Sequence, residues 1–250
     1  MTNADREEQT PAALVRPPRR LLQSTLRCLD VLDALAATDK PVAISDLARR
    51  LNVRRGTLHQ QLRTLVYAGW ARQTPDARYY LSLRAVHIGK VALEQAGLAD
   101  RLLPLLEELA FRTGEAPAIA VLDVDNVLIV QRVESQQLVR ADIKVGTRMP
   151  LVGSAAGMVL LAYASPDKLA QLAERGVRIP PADVLAEIRD RGFAVQRDGF
   201  TSGLSAAAVP INMGDDEELL TLSMAAPTER FDEKRTVDLL LDAVKRFYAA

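Results

Sequence analysis

Between positions 54 and 63 the chain gathers Arg54, Arg55, Thr57, His59, Gln60 and Arg63. An arginine fork pairs with guanine O6 and N7, and a glutamine amide pairs with adenine N6 and N7. Leu58, Leu62, Leu65 and Val66 recur at i, i+4, i+7 and i+8, which predicts a helix over Arg54–Ala68 with that stripe buried. The polar residues fall away from the stripe. Such a face is ordinarily just solvated, and only the elements around it turn it into a reader of base edges.

Those elements come in a telling order. Ile44–Leu51 reads as a short helix with Ser45 as its N-cap and Asp46 in its positive first turn. Asn52 suits the left-handed residue of a tight turn, and Gly69 suits the end of the next helix. A short helix, a tight turn and a basic helix make helix-turn-helix spacing. Trp70–Gln73 and Arg78–Leu81 read as two strands around Thr74–Ala77, a hairpin wing placing Arg72 and Arg78 beside a phosphate backbone. Upstream, Leu22, Leu26, Leu29, Leu32 and Leu35 form the apolar stripe of a first helix. Residues 1–20 read as a flexible arm, 21–82 as a winged helix-turn-helix domain and 83–98 as a connector helix with a dimer contact. Residues 99–250 read as a second domain.

Charge follows the same division. The net charge is +6 over residues 1–98 and −6 over the remainder, cancelling to zero for the chain. A basic module joined to an acidic one suits nucleic-acid binding coupled to something else. One cysteine and no apolar run of membrane-spanning length point to the cytoplasm.

From Leu102 onward helices and strands interleave. Helices are expected at Leu102–Arg112, Ala155–Ala164, Asp167–Glu174, Ala182–Arg191 and Asp232–Tyr248. Strands are expected at Ala118–Asp123, Val127–Val133, Leu138–Val145, Phe193–Gln196, Ser205–Ile211 and Leu219–Met224, with Asp125-Asn126 as a hairpin turn. The fold class is α+β. Gly153-Ser154-Ala155-Ala156-Gly157 lacks the G-x-S-x-G spacing of a nucleophile elbow. Both histidines lie before residue 88, so a serine in the second domain has no imidazole base. Zinc spacing and phosphate-binding glycine patterns are also missing, and we expect neither an enzyme nor a cofactor. Ser154 reads instead as an N-cap that leaves the N–H groups of Ala155, Ala156 and Gly157 for an anion.

Leu47-Ala48-Arg49-Arg50, Thr57-Leu58-His59, Leu62–Val66 and Gly69, then Tyr80-Leu81, Leu83-Arg84 and Gly89, resemble the IclR family of transcriptional regulators. The likeness continues through Thr113-Gly114-Glu115, Arg132–Ser135, Val145-Gly146, Pro150-Leu151, Gly157, Arg191–Val195, Gly203 and Pro210. It implies an α/β/α, GAF- or PAS-like effector domain binding a small organic acid, in a homodimer or homotetramer on double-stranded palindromic operator DNA. On that basis Ile143, Ser154, Ala155, Ala156, Gln196, Ala206, Ala208, Thr221 and Ser223 are the expected effector contacts. The chain departs from the family pattern at Gly56, Gln60 and Gln61, and again at Val152, Met158, Gln196–Gly199 and Ala206. Val152, Gly199 and Ala206 replace polar or larger groups, and Ala207 and Ala208 add small ones. The expected effector is therefore a weak acid with an apolar or aromatic body. The rival reading is a sensor whose helix-turn-helix serves protein contacts.

Overall fold

A computed structural model describes residues 21–95, 102–140, 143–211 and 219–249. The arm expected over residues 1–20 lies outside them. The chain forms two compact units, one ending at Leu83 and the other beginning at Arg84.

The first unit runs α1 (Gln23–Ala36), β1 (Val42–Ala43), α2 (Ile44–Arg50), α3 (Arg55–Tyr67), β2 (Ala71–Gln73) and β3 (Arg78–Leu81). Its core joins Val31, Leu35, Leu47, Leu58, Leu62, Leu65 and Tyr79. Helix α3 buries the three leucines of its expected stripe, whereas Val66 is exposed. Helix α1 corrects its stripe: Val31 and Leu35 are buried, but Leu22, Leu26 and Leu29 are exposed. Ser45 is not a cap either. Helix α2 starts at Ile44, with Ala43 as N-cap two residues before the expected one, which leaves Ser45 inside the first turn. Asn52 takes the left-handed conformation at φ +50°. Gly69 does so at +77°, and the Trp70 N–H bonds the Leu65 carbonyl to close α3. The expected two-stranded hairpin gains a third strand, because β1 pairs with β3 to give the order β1-β3-β2.

The second unit opens with α4 (Arg84–Gln95), a helix with no buried residue, and α5 (Leu102–Thr113). There follow β4 (Ala116–Asp123), β5 (Asn126–Arg132), β6 (Arg148–Pro150), α6 (Ala155–Tyr163), α7 (Pro166–Glu174) and α8 (Ala182–Arg191). Strands β7 (Ala194–Arg197), β8 (Leu204–Ile211) and β9 (Leu220–Pro227) and helix α9 (Glu233–Ala249) complete it. One antiparallel sheet has the order β6-β5-β4-β9-β8-β7. Successive side chains point to opposite faces of a strand, and the cores divide accordingly. Ile119, Ala207, Val209, Leu220, Leu222 and Met224 pack with α5 and α9. Ala118, Ala120, Ile129, Ala194 and Ala208 pack with α6, Leu172 of α7, and Leu185 and Ile188 of α8. The result is an α/β/α sandwich.

Leu138–Val145 is not a strand. Leu138 is fully exposed, Gln136–Gln137 leads into a bent segment, and positions 141–142 lie outside the described residues. Alternation there meets no sheet edge, because β6 occupies the open edge of β5 with Val127 opposite Met149. The β4–β5 turn also sits one residue earlier than expected. Asp123 pairs with Asn126, so Val124 and Asp125 form the turn, and Val124 is forced to φ +57°. A β-branched residue is strained there. Its side chain is half exposed, so Val124→Gly sacrifices little packing. We expect this substitution to stabilise the unit by about 1 kcal/mol. A thermal melt should rise by about 2–4 °C, and an unchanged or lower midpoint contradicts the strain.

Candidate functional site

Two sites emerge, one in each unit. On α3, Arg55, Thr57, His59, Gln60 and Arg63 are all exposed, and Arg54 is the exposed N-cap residue. The face continues into Thr64, whose hydroxyl donates to the Gln60 carbonyl, and into Tyr67 at the helix end, which is 95% exposed. The sequence reading overlooked Tyr67, although its position eight residues after His59 puts it on the same side of the helix. The ion pairs of the described residues leave Arg54, Arg55, Arg63 and Arg72 uninvolved, so their charge is available to a partner. Arg78 differs. Its Nε lies 2.9 Å from Asp76 Oδ2, within a turn closed by Thr74. The Thr74 hydroxyl, then Arg78, hold the Asp76 carboxyl below its usual range. The wing thus presents Arg72 as its open cation, with Arg78 partly neutralised.

In the second unit a cavity opens between the sheet and the start of α6. The space between its walls, with the solvent at the open mouth counted in, is about 630 Å³. Strand register lays out its floor. Gln196, Ala206, Ala225 and Ala116 sit opposite one another across β7, β8, β9 and β4. The next row on that face runs through Ala208, Ser223, Ala118 and Arg132. Ile129, Ile143, Met149 and Leu204 add apolar wall.

Ser154 caps α6, its hydroxyl donating to the Pro150 carbonyl at 2.7 Å and accepting from the Gly157 N–H at 3.2 Å. The Gly157 N–H is therefore consumed, leaving those of Ala155 and Ala156 with the positive end of the helix dipole. Glycine is required at 157 because a Cβ there would overlap the backbone of Leu151. The loop from Asp198 to Gly203 forms the rim with Phe200 and Thr201. The Asp198 carboxylate accepts from the Gly203 N–H at 2.7 Å, which pins the loop.

Of the expected effector contacts, Ile143, Ser154, Ala155, Ala156, Gln196, Ala206 and Ser223 line this cavity. Ala208 and Thr221 do not. Ala208 is fully buried in the core beneath α6, and Thr221 is fully buried with its hydroxyl on the Ala120 carbonyl. Val152 points elsewhere and is 40% exposed, and Ala207 faces the α9 layer. Gly199 leaves no room either, since a Cβ there would overlap Gln196 and the Gly153 carbonyl. Its role is close approach, and the small floor comes from Ala116, Ala118, Ala206 and Ala225.

The profile of the IclR helix-turn-helix domain matches residues 24–75, and that of the bacterial transcriptional regulator IclR C-terminal region matches residues 90–248. The chain belongs to the IclR family of transcriptional regulators. It is 31% identical to the HTH-type transcriptional regulator BhcR of Paracoccus denitrificans, over 87% of this chain and 82% of that protein. An IclR regulator from Alicyclobacillus acidocaldarius has the same fold, with a TM-score of 0.78 at 24% identity over 92% of this chain and 99% of the other. So does an IclR homologue from Microbacterium hydrocarbonoxydans solved with 4-hydroxybenzoate, with a TM-score of 0.72 at 23% identity over 90% and 97%. As an IclR-family member the chain is a DNA-binding transcriptional regulator rather than an enzyme. Among its described residues no helix is long and apolar enough to cross a membrane.

The sequence reading missed Arg132 as a cavity residue. Only 3% of its side chain is exposed, yet it lines the cavity. The available signal was a cation closing an otherwise apolar strand, Val127–Val133.

Proposed function

We propose that this IclR-family regulator binds a palindromic operator as a homodimer or larger homo-oligomer, and that a small organic acid in the α6 cavity modulates that binding. The observation carrying the operator half is the α3 face, whose arginines stand clear of intramolecular ion pairs. One such helix reads too few bases for specificity, and a two-fold pair supplies the second half-site. The exposed Leu22 before α1, Leu26 and Leu29 on it, and Val86 and Ile88 of α4 favour assembly, since each is apolar surface left uncovered in one chain. The cytoplasm, where an operator would be met, suits this role.

The effector reading rests on the cavity's polarity. Two helix N–H groups favour a carboxylate, while alanine, isoleucine and methionine favour an apolar body at roughly 25 cal/mol per Å² buried. The 4-hydroxybenzoate held by the Microbacterium homologue is an acid of this kind. The test is a fluorescence-anisotropy titration of the full chain on DNA upstream of its own gene, repeated with benzoate-type acids and with glyoxylate and pyruvate. Aromatic acids should change operator affinity, and sedimentation should give two or more chains per duplex. Response to the two- and three-carbon acids alone would overturn the apolar-body reading. Failure of any DNA to bind would favour a helix-turn-helix serving protein contacts.

A further inference from the structure

The outer face of α3 carries one straight row from end to end. Gly56, Gln60, Arg63 and Tyr67 follow one another at helical spacing, opposite the buried Leu58, Leu62 and Leu65, and all four are exposed. The row tapers. At its start Gly56 has no side chain, and a Cβ there would meet nothing within 4 Å. Glycine weakens a helix relative to alanine. No contact among the described residues calls for it, whereas a partner pressed against the helix would. At the far end stands Tyr67, 95% exposed, whose hydroxyl makes no hydrogen bond among the described residues. Thr64 in the same turn has its own hydroxyl on the Gln60 carbonyl at 3.0 Å. A single exposed aromatic is ordinary, but this one ends the row that faces DNA.

Length decides where Tyr67 arrives. From 56 to 67 the row is roughly 16 Å long at about 1.5 Å per residue, and the major groove is about 12 Å wide. Recognition helices contact base edges through their N-terminal residues, which is the bare end here. A helix inclined that way brings Tyr67 out at the sugar-phosphate wall, where tyrosine hydroxyls are among the donors that fix register.

We propose that Tyr67 is a phosphate-contacting residue, its hydroxyl donating to a backbone oxygen at the edge of the groove that the Gly56 end of α3 enters. This rests on the reading of α3 as the operator helix and adds a contact to it. A phenol hydroxyl brings no positive charge and displaces no counterion, and a phosphate carries no sequence information. Losing the contact therefore lowers affinity for every duplex alike and leaves the salt slope as it was, unlike the loss of an arginine.

The test is fluorescence anisotropy of the full chain on DNA upstream of its own gene and on a scrambled duplex of equal length, at several salt concentrations. Tyr67→Phe should weaken binding to both by about tenfold, with the wild-type melt, salt slope and number of chains per duplex. Gly56→Ala should weaken binding while raising the melting midpoint by about 1–4 °C. Binding by Tyr67→Phe within about twofold of wild type on both duplexes would overturn the proposal. So would a loss confined to the upstream duplex, or a changed number of chains. Undiminished binding by Gly56→Ala would overturn the inclination on which the contact depends. Arg55→Ala and Arg63→Ala separate this failure from that of the underlying reading. If they weaken binding and Tyr67→Phe does not, α3 remains the reading helix and the phosphate contact falls. If none of the three weakens it, or the wild type binds neither duplex, both fall.

Discussion

Replacing Arg55 or Arg63 by alanine should weaken operator binding by about 1–3 kcal/mol each, which is about 5- to 150-fold in affinity, if the contact is bidentate to a base. Both side chains are exposed on α3 and take no part in the ion pairs of the described residues. Removing either therefore breaks no intramolecular bridge, and the fold should melt as before. Arg72→Ala on the wing should act differently, reducing affinity for all sequences alike and flattening the salt dependence, as loss of a phosphate contact does. Arg78→Ala should do less than Arg72→Ala, because Asp76 already neutralises part of its charge. Anisotropy titrations on operator and scrambled DNA at several salt concentrations separate these effects. If Arg55→Ala and Arg63→Ala leave the ratio of operator to scrambled affinity intact, α3 is not the reading helix.

The second large effect is expected at Gly157, within the first turn of α6. A methyl group there would overlap the Leu151 carbonyl and Cα, which are backbone atoms without a rotamer to yield. Overpacking ordinarily costs about 1–3 kcal/mol, and a backbone clash belongs at or above the upper end. Gly157→Ala should lower the midpoint of thermal unfolding by about 6–12 °C, at about 2–4 °C per kcal/mol. Where the chain folds, the relief must come from moving the helix start, so acids should also lose their effect on the melt. A variant that melts and responds as the wild type does would mean that α6 does not approach Leu151 so closely.

The helix-turn-helix was legible because its signals are local. Leu58, Leu62 and Leu65 announce one buried face within a dozen residues, and Asn52 and Gly69 mark the breaks by the backbone angles they tolerate. Strand β1 was not legible, since Val42 and Ala43 are too few to carry a period. In the second unit the helices and most strands could be read in the same way, but alternation alone does not say which edge a strand meets. Leu138–Val145 alternates and has no edge, while Arg148–Pro150 barely alternates and takes it. The cavity depends still more on pairing. Whether Ala206 or Ala207 faces the cavity is decided by register across β7, β8 and β9. That Arg132 joins the row of Ala118 and Ser223 depends on strands some 90 positions apart in the chain.

The alternation of β8 has an evolutionary consequence. Ala207 and Val209 belong to the core under α5 and α9, and Ala206 belongs to the cavity floor. On the proposed effector role, mutations at the floor alanines would change which acids are admitted without repacking the opposite layer. Each added methyl group subtracts ligand volume, while the strand pairing that fixes the domain is backbone chemistry, indifferent to side-chain identity. On that role, chemical specificity and foldability would be carried by alternate residues of one strand, so that a signal could change one alanine at a time with the far side of the sheet held constant.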